Sequence, residues 1–399
     1  MAPTVHRARL GVLALFFASG VMVATGPTRL IMIRERLEAS PGLIGLLILT
    51  FSLGAVVSMP LTSTALGIWP TGSFIRSIAL VACVALVAMG AFTAAGITPG
   101  AFASFFVVGA CSGPWDVAMN VAGTDVERAM GRSVMPQFHA GFSLGTVTAA
   151  GVGMLAAWLK VPLAAHFCLA AALAIGLVWW GANDLAATSK PPVRQERRSG
   201  SRTGQAFVGW REGHTWLIGI VVLAAGLIEG SANDWLALGV RQDFDVPEEI
   251  GILGLGVFLC AMTGMRLLGT ALVDRHGRAV VQRLTAALAL VGLVVYTLAP
   301  GLILLMVGAA LWGLGAAMGF PLGLSAAADD PAKAAARTST VATIGYMAFL
   351  AGPGLLGLLA DHVGYRHALM MIALPATLAL LLAPVLRPRP PAWQATELA

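Results

Sequence analysis

Two carboxylates interrupt long apolar runs, and each is followed four residues later by an asparagine: Asp116 with Asn120, and Glu229 with Asn233. On a helix this spacing puts each acid and its amide on one face. An ionised carboxylate at bilayer depth is costly, so such groups face a wet cavity or a partner and mark an ion or substrate path. The chemistry expected of Asp116 and Glu229 is proton loading and release, with Asn120 and Asn233 beside them to bind a polar solute. The alternative for Asp116 is a structural acid tied to Asn120 and backbone. By helix rise Asp116 lies about 12 Å from one edge of an apolar core about 30 Å thick, close to the midplane. Glu229 lies roughly 20 Å from the same edge, just past the middle.

Other polar groups flank this pair. His139, near one end of the fifth apolar stretch, has the side chain whose ordinary pKa falls near 6.5, and it suits a relay for protons from Asp116. The alternative is a hydrogen-bonded histidine at a helix mouth. Gln137 and Tyr346 join the asparagines as candidate solute contacts. Arg29 and Asp234 fall at similar heights on the first and seventh stretches, so a gating pair of Arg29 with Glu229 or Asp234 is expected. Snorkelling of Arg29 to the interface is the competing reading. Arg266 is placed to answer Asp116 or the fifth helix. His166 reads as interfacial. The aromatics Trp115, Trp235, Trp312, Phe320 and Tyr346 suit helix packing better than ligand stacking, and Gly141, Gly145, Gly151 and Gly153 suit close helix contact.

The elements that must hold these residues follow from composition. The chain has 399 residues, 58% hydrophobic and 11% charged, with a mean hydropathy of +0.83. Soluble domains carry about 25% charged residues, so an all-α integral membrane protein is expected. Windows of about 20 apolar residues predict twelve spans: Leu10–Leu30, Gly42–Leu66, Gly72–Ala95, Ala101–Gly123, Gln137–Leu159, Leu163–Gly181, Thr215–Val240, Gly251–Val273, Val280–Ala299, Leu302–Ala327, Thr340–Leu359 and Ala368–Leu386. Most lysines and arginines fall on the side of the termini. Arg34, Arg36, Lys160, Arg241 and Arg366 fall on the other. The positive-inside bias therefore puts both termini in the cytoplasm. The net charge of +6 is a topology signal, and no nucleic-acid partner is expected. Cys83, Cys111, Cys168 and Cys260 have no CxxC spacing and read as packing residues, with no metal.

Six spans precede and six follow the long polar stretch 186–213, which contains Lys190-Pro-Pro. Residues 1–185 and 214–399 are therefore expected to be two six-helix bundles joined by a cytoplasmic linker. The bundles repeat. Ser63-Thr-Ala-Leu66 aligns with Gly269-Thr-Ala-Leu272, and Ile44-Gly45 with Ile250-Gly251, at one constant offset. Parallel repeats of this kind suit a carrier that exposes a central site alternately to either side.

After the eighth span, Asp274-Arg-His-Gly277-Arg278 resembles the loop motif of the major facilitator superfamily, and Asp361-His-Val-Gly364-Tyr-Arg366 is a related copy. Asp116-Val-Ala-Met-Asn120 resembles the fourth-helix signature of its fucose-permease-like transporters. Met135-Pro-Gln137-Phe-His139 and Glu229-Gly-Ser-Ala-Asn-Asp234 resemble a bacterial inner-membrane branch beside them. The resemblance implies a twelve-helix secondary transporter with Asp274 in a cytoplasmic gating clasp. The first-half equivalent, Gly67-Ile-Trp-Pro-Thr-Gly72, lacks the acid and arginines.

The expected function is proton-coupled symport of a small polar, sugar-like solute, with antiport of an amphipathic compound as the alternative. The expected protein is a monomer in the bilayer of the cytoplasmic membrane, driven by the proton gradient without a cofactor. No phosphate loop or HExxH is present and no GxSxG lies on a strand–helix turn, so an enzyme is not expected.

Overall fold

The protein is described by a computed structural model covering residues 3–131, 134–183, 185, 208–330 and 333–388. Of the expected linker, 186–207 lie outside the described residues. Its far end forms the short helix Val208–Arg211. Twelve helices are long and apolar enough to cross a membrane: Thr4–Thr28, Pro41–Leu66, Thr71–Ala94, Thr98–Met130, Gln137–Trp158, Leu163–Gly181, Gly213–Asp243, Glu248–His276, Arg278–Leu298, Leu302–Ala327, Ala336–Val363 and Tyr365–Leu386. They are called the first to twelfth spans below. In hydrocarbon each backbone N–H and C=O must be paired within its own segment, which is why such apolar runs become helices. No strand occurs among the described residues.

Several helices outrun their apolar cores. The fourth continues from the expected Gly123 to Met130, where Arg128 and Asp125 pair at 2.9 Å one turn apart. Gly131 then ends it in the left-handed region at φ 65°, a conformation that favours glycine. The same device closes both loop motifs, since Gly277 and Gly364 each have φ 79°. Two spans are interrupted. The first ends at Thr28 just after Pro27, Arg29 leaves helical geometry, and Leu30–Arg36 continues as a separate short helix. The tenth splits into Leu302–Ala316 and Gly319–Ala327. These two breaks matter for the site, because each brings a backbone irregularity to a buried or half-buried arginine.

The chain forms two compact units that do not follow the sequence halves. One contains the first six spans together with residues 233–259 and 353–365; the other contains the rest of the described second half. In the first unit, the first span packs on the fifth and the second on the fourth through glycines. A methyl group on Gly145 would meet the backbone of Phe17 and Val21, whereas one on Gly151 would meet open space. Gly151 is therefore not a packing residue, contrary to expectation, because its face of the fifth span turns away from any neighbour. Gly145→Ala is expected to lower stability by about 1–3 kcal/mol through overpacking, and Gly151→Ala by close to nothing. Equal effects of the two in a thermal-melt comparison would contradict this packing.

Trp115, Trp235 and Trp312 are 1%, 1% and 0% exposed, so these rings belong to packing as expected. Trp312 Nε1 donates to Ile228 O at 3.1 Å within the second unit.

Candidate functional site

In the second unit, Glu229 projects from the middle of the seventh span and Arg266 from the eighth. Arg266 Nη2 lies 2.9 and 2.8 Å from the two Glu229 oxygens, and its Nε donates to Ala317 O at 3.3 Å. The Ala317 carbonyl is available because the tenth span breaks there. Arg266 Nη1 has no hydrogen-bond partner among the described residues. The side chains are 28% and 19% exposed, so the pair is reachable by water. Arg266 was expected to answer Asp116 or the fifth helix. Its guanidinium instead turns to the seventh and tenth spans of its own unit, where a carboxylate and a freed carbonyl both accept from it.

A ladder of half-buried rings stands beside this pair. Phe320, three residues past Ala317, meets Tyr346 edge-on with centroids 6.1 Å apart. Tyr346 is 6.2 Å from Phe349, whose ring would touch a Cβ on Gly230 at 3.2 Å. Gly230 is the chain neighbour of Glu229, as Phe320 is three residues from the Ala317 carbonyl that holds Arg266. Unlike the three buried tryptophans, these rings keep part of their surface open. Tyr346 thus falls at the site; Phe320 and Phe349 show their role only in the packing.

In the first unit, Asn120 Nδ2 donates to Asp116 O at 2.8 Å and to Asp116 Oδ1 at 3.3 Å. Asp116 is half-buried, and among the described residues no cation pairs with it. One side-chain amide is thus its sole recorded polar partner there. Gln137 accepts from Arg9 Nη2 at 2.6 Å, which ties it to the start of the first span. His139 is exposed and packs edge-on to Phe16, centroids 5.2 Å apart. The structure shows no contact between His139 and Asp116.

Arg29 was expected to meet Glu229 or Asp234. Its Nε instead faces Glu248 Oε1 at 3.2 Å, at the first residue of the eighth span. The side chain is 0% exposed. Its Nη2 donates to Val161 O at 3.2 Å and to Met32 Sδ at 3.0 Å. Glu248 is the acid that reaches it because the break after Thr28 turns Arg29 out of the helical path. The Arg29–Glu248 approach lacks hydrogen-bond alignment, and Nη1 is buried without a hydrogen-bond partner, so the cohesion is Coulombic. His166, expected at the interface, is 2% exposed with its Nδ1 unpartnered. It is buried because it sits in the first turn of the sixth span, which the first unit covers. Asn233 and Asp234 are half-buried, with no hydrogen-bond or ion-pair partner among the described residues.

More contacts join the first six spans to residues 233–259 and 353–365 of the same unit. Arg34 bonds to Gln242 and lies 5.7 Å over the Tyr365 ring. Arg241 is 3.6 Å from Glu35, and Asp361 Oδ2 accepts from Gly42 N at 2.9 Å. The motif acid Asp361 therefore caps the start of the second span. Its counterpart Asp274 is exposed and has no partner among the described residues. The clasp at that motif is carried by Arg278, 2.5 Å from Asp329 and 3.2 Å from Ser325. Asp274 points to solvent in the last turn of the eighth span, while Arg278 opens the ninth.

Outside the spans, Glu212 accepts from Arg337 and Lys333. Hydrogen bonding to Arg337, opposed by partial burial and aided by Lys333 and Thr215, holds its carboxyl at about 2. A depressed acid stabilises the fold above its ordinary value of about 4.3 and loses that contribution as pH falls toward 2. Glu212→Gln is expected to cost about 1 kcal/mol at pH 7, allowing for solvent screening, and nothing near pH 2. A mutational cost that did not shrink with acidification would refute the assignment.

Comparison with known proteins agrees with this architecture. A family model described as Major Facilitator Superfamily matches residues 11–346 and 218–399. An uncharacterized transporter of Sinorhizobium fredii is 33% identical over 384 residues, 94% of this chain and 97% of that one. The crystal structure of the nucleoside transporter NupG covers 95% of this chain and 98% of its own, with a TM-score of 0.74 at 14% identity. The E. coli fucose:proton symporter FucP covers 94% and 97%, with a TM-score of 0.63 at 14% identity. The two solved structures share the fold.

Proposed function

The chain belongs to the major facilitator superfamily, and on that premise we propose that it carries a small polar, sugar-like solute into the cell together with protons. Secondary transport through a multi-pass membrane protein follows from membership. The proton-coupled part rests on one observation: Asp116 lies amid apolar helix with only Asn120 as its recorded polar partner and no cation among the described residues. Such an acid exchanges protons at low cost, since neither state is locked by a counter-charge. Glu229 is the second titrating group, restrained by Arg266.

Both termini are assigned to the cytoplasm of a bacterial cell, on the positive-inside bias. That orientation makes the Arg29–Glu248 end the outer gate, with Arg34–Gln242 and Gly42–Asp361 as its other fastenings. Tyr346, Asn120 and Asn233 remain the candidate solute contacts, and the carrier acts as a monomer. A second reading, export of an amphipathic compound against protons, draws on the open ring surfaces of Phe320, Tyr346 and Phe349.

The test is reconstitution in liposomes with an internal pH dye and pools of small solutes outside. Protons entering with a solute, and lost in Asp116→Asn, support symport. Protons moving against the solute transfer the protein to the export reading. Proton flux unchanged in both Asp116→Asn and Glu229→Gln removes the acids from the mechanism.

A further inference from the structure

Resting on the symport reading, we propose that the solute is a small ring-bearing monocarboxylate, whose carboxylate is received by Arg266 and whose ring lies on Phe320, Tyr346 and Phe349. The argument begins with how few polar groups the second unit offers here. A polyhydroxylated neutral ring needs a partner for nearly every hydroxyl, since an unpaired buried polar group costs about 1–3 kcal/mol. Arg266 Nε has already taken the Ala317 carbonyl, and the chain beside Ala317 and Glu229 leads to three aromatic rings and Gly230. That surface suits one strong polar head and an otherwise apolar or flat body.

The guanidinium determines what the head is. Nε is held by Ala317 O and Nη2 by Glu229, while Nη1 has no partner among the described residues and the side chain is 28% exposed. Arg266 is thereby oriented through two of its nitrogens and presents the third. A bond from the charged Nη1 to a carboxylate is about twice as strong as a neutral hydrogen bond. The ring ladder starts three residues from Ala317 and ends beside Gly230, the chain neighbour of Glu229, which is where the body of a ligand headed at Nη1 is placed.

Charge accounting then ties this site to protons. The ligand arrives ionised and Arg266 remains protonated. As the ligand's carboxylate at Nη1 shares the Arg266 charge, Glu229 loses part of its counter-charge. It takes one proton from the same water. One anion and one proton are bound, no net charge is added, and both leave on the other side. Arg266 is the charged group facing Glu229; the tenth span contributes Phe320 and backbone, and the eleventh Tyr346 and Phe349.

The experiment is a thermal-shift titration of the purified full-length protein with matched pairs: benzoate against benzyl alcohol, and cyclohexanecarboxylate against cyclohexanemethanol. Acids are expected to raise the melting temperature at concentrations at least about tenfold below their neutral partners. Arg266→Gln is expected to weaken acid binding by about tenfold or more, as for loss of one charge-assisted bond. Glu229→Gln, which keeps Arg266 and frees it, is expected to bind acids at least as tightly but without proton uptake. Neutral members shifting the protein as well as acids, no acid shifting it at all, or acid binding undiminished in Arg266→Gln would each overturn the proposal. Should Arg266→Gln fail to fold, weakened acid binding in Glu229→Gln overturns it instead. In liposomes the two readings separate. A neutral solute that carries protons leaves symport standing and removes the carboxylate, whereas acid-selective binding without proton flux removes symport and leaves the ligand class.

Discussion

Asp116→Asn is expected to abolish uphill accumulation while leaving downhill exchange of solute intact. The substitution is nearly isosteric. It keeps an acceptor for Asn120, whose amide now donates to the Asp116 carbonyl and carboxylate at 2.8 and 3.3 Å, and it removes only the titratable proton. A carrier moving one proton per solute accumulates about tenfold per pH unit of gradient, since each tenfold ratio corresponds to about 1.4 kcal/mol. Without a proton to carry, the ratio should fall to one at every imposed gradient. Counterflow of labelled against unlabelled solute measures the surviving exchange and separates lost coupling from a misfolded protein. Accumulation that persists in the mutant and still scales with the pH gradient would show Asp116 to be a structural acid held by Asn120.

The second large effect is expected at Arg29. Glu248→Gln leaves a fully buried guanidinium without its counter-charge, and removal of one partner of a buried pair costs about 3–5 kcal/mol. Arg29 has little else to compensate: a carbonyl and a thioether on Nη2, and no hydrogen-bond partner on Nη1. The double variant Arg29→Met with Glu248→Gln should recover most of that loss, because an apolar side chain of similar length needs no counter-charge. Thermal melts of the two singles and the double supply the double-mutant cycle. Additive losses would mean that the 3.2 Å approach carries no coupling. In transport, Glu248→Gln is expected to raise reactivity of a cysteine placed at Gln242, as the fastening beside it loosens. Unchanged reactivity would keep Arg29 in the fold and remove it from the gate.

Arg266 and Arg29 illustrate what local reading can and cannot reach. Both were recognisable as cations in or beside long apolar stretches. Neither partner was. Height along a helix is fixed by 1.5 Å per residue, but azimuth and neighbour depend on how helices cross and where they break. The break at Ala317 released the carbonyl that holds Arg266, and the break after Thr28 turned Arg29 toward Glu248. Glu248 escaped notice because Pro247-Glu-Glu reads as a polar loop. Phe349 and Asp329 likewise look ordinary until Gly230 and Arg278 are seen against them.

Hydropathy by itself determined twelve apolar helices and marked Asp116 and Glu229 as acids within apolar stretches, while the loop and fourth-helix motifs pointed to the transporter family. These are properties of single segments, set by transfer of side chains and backbone into hydrocarbon. Tertiary structure alone decided that Glu229 is paired with Arg266, and that His166 is buried while Asp274 is exposed. It also decided that Arg29 meets Glu248. The reason is that a charge's energy depends on what lies within about 4 Å of it, and those neighbours come from spans far apart in the chain.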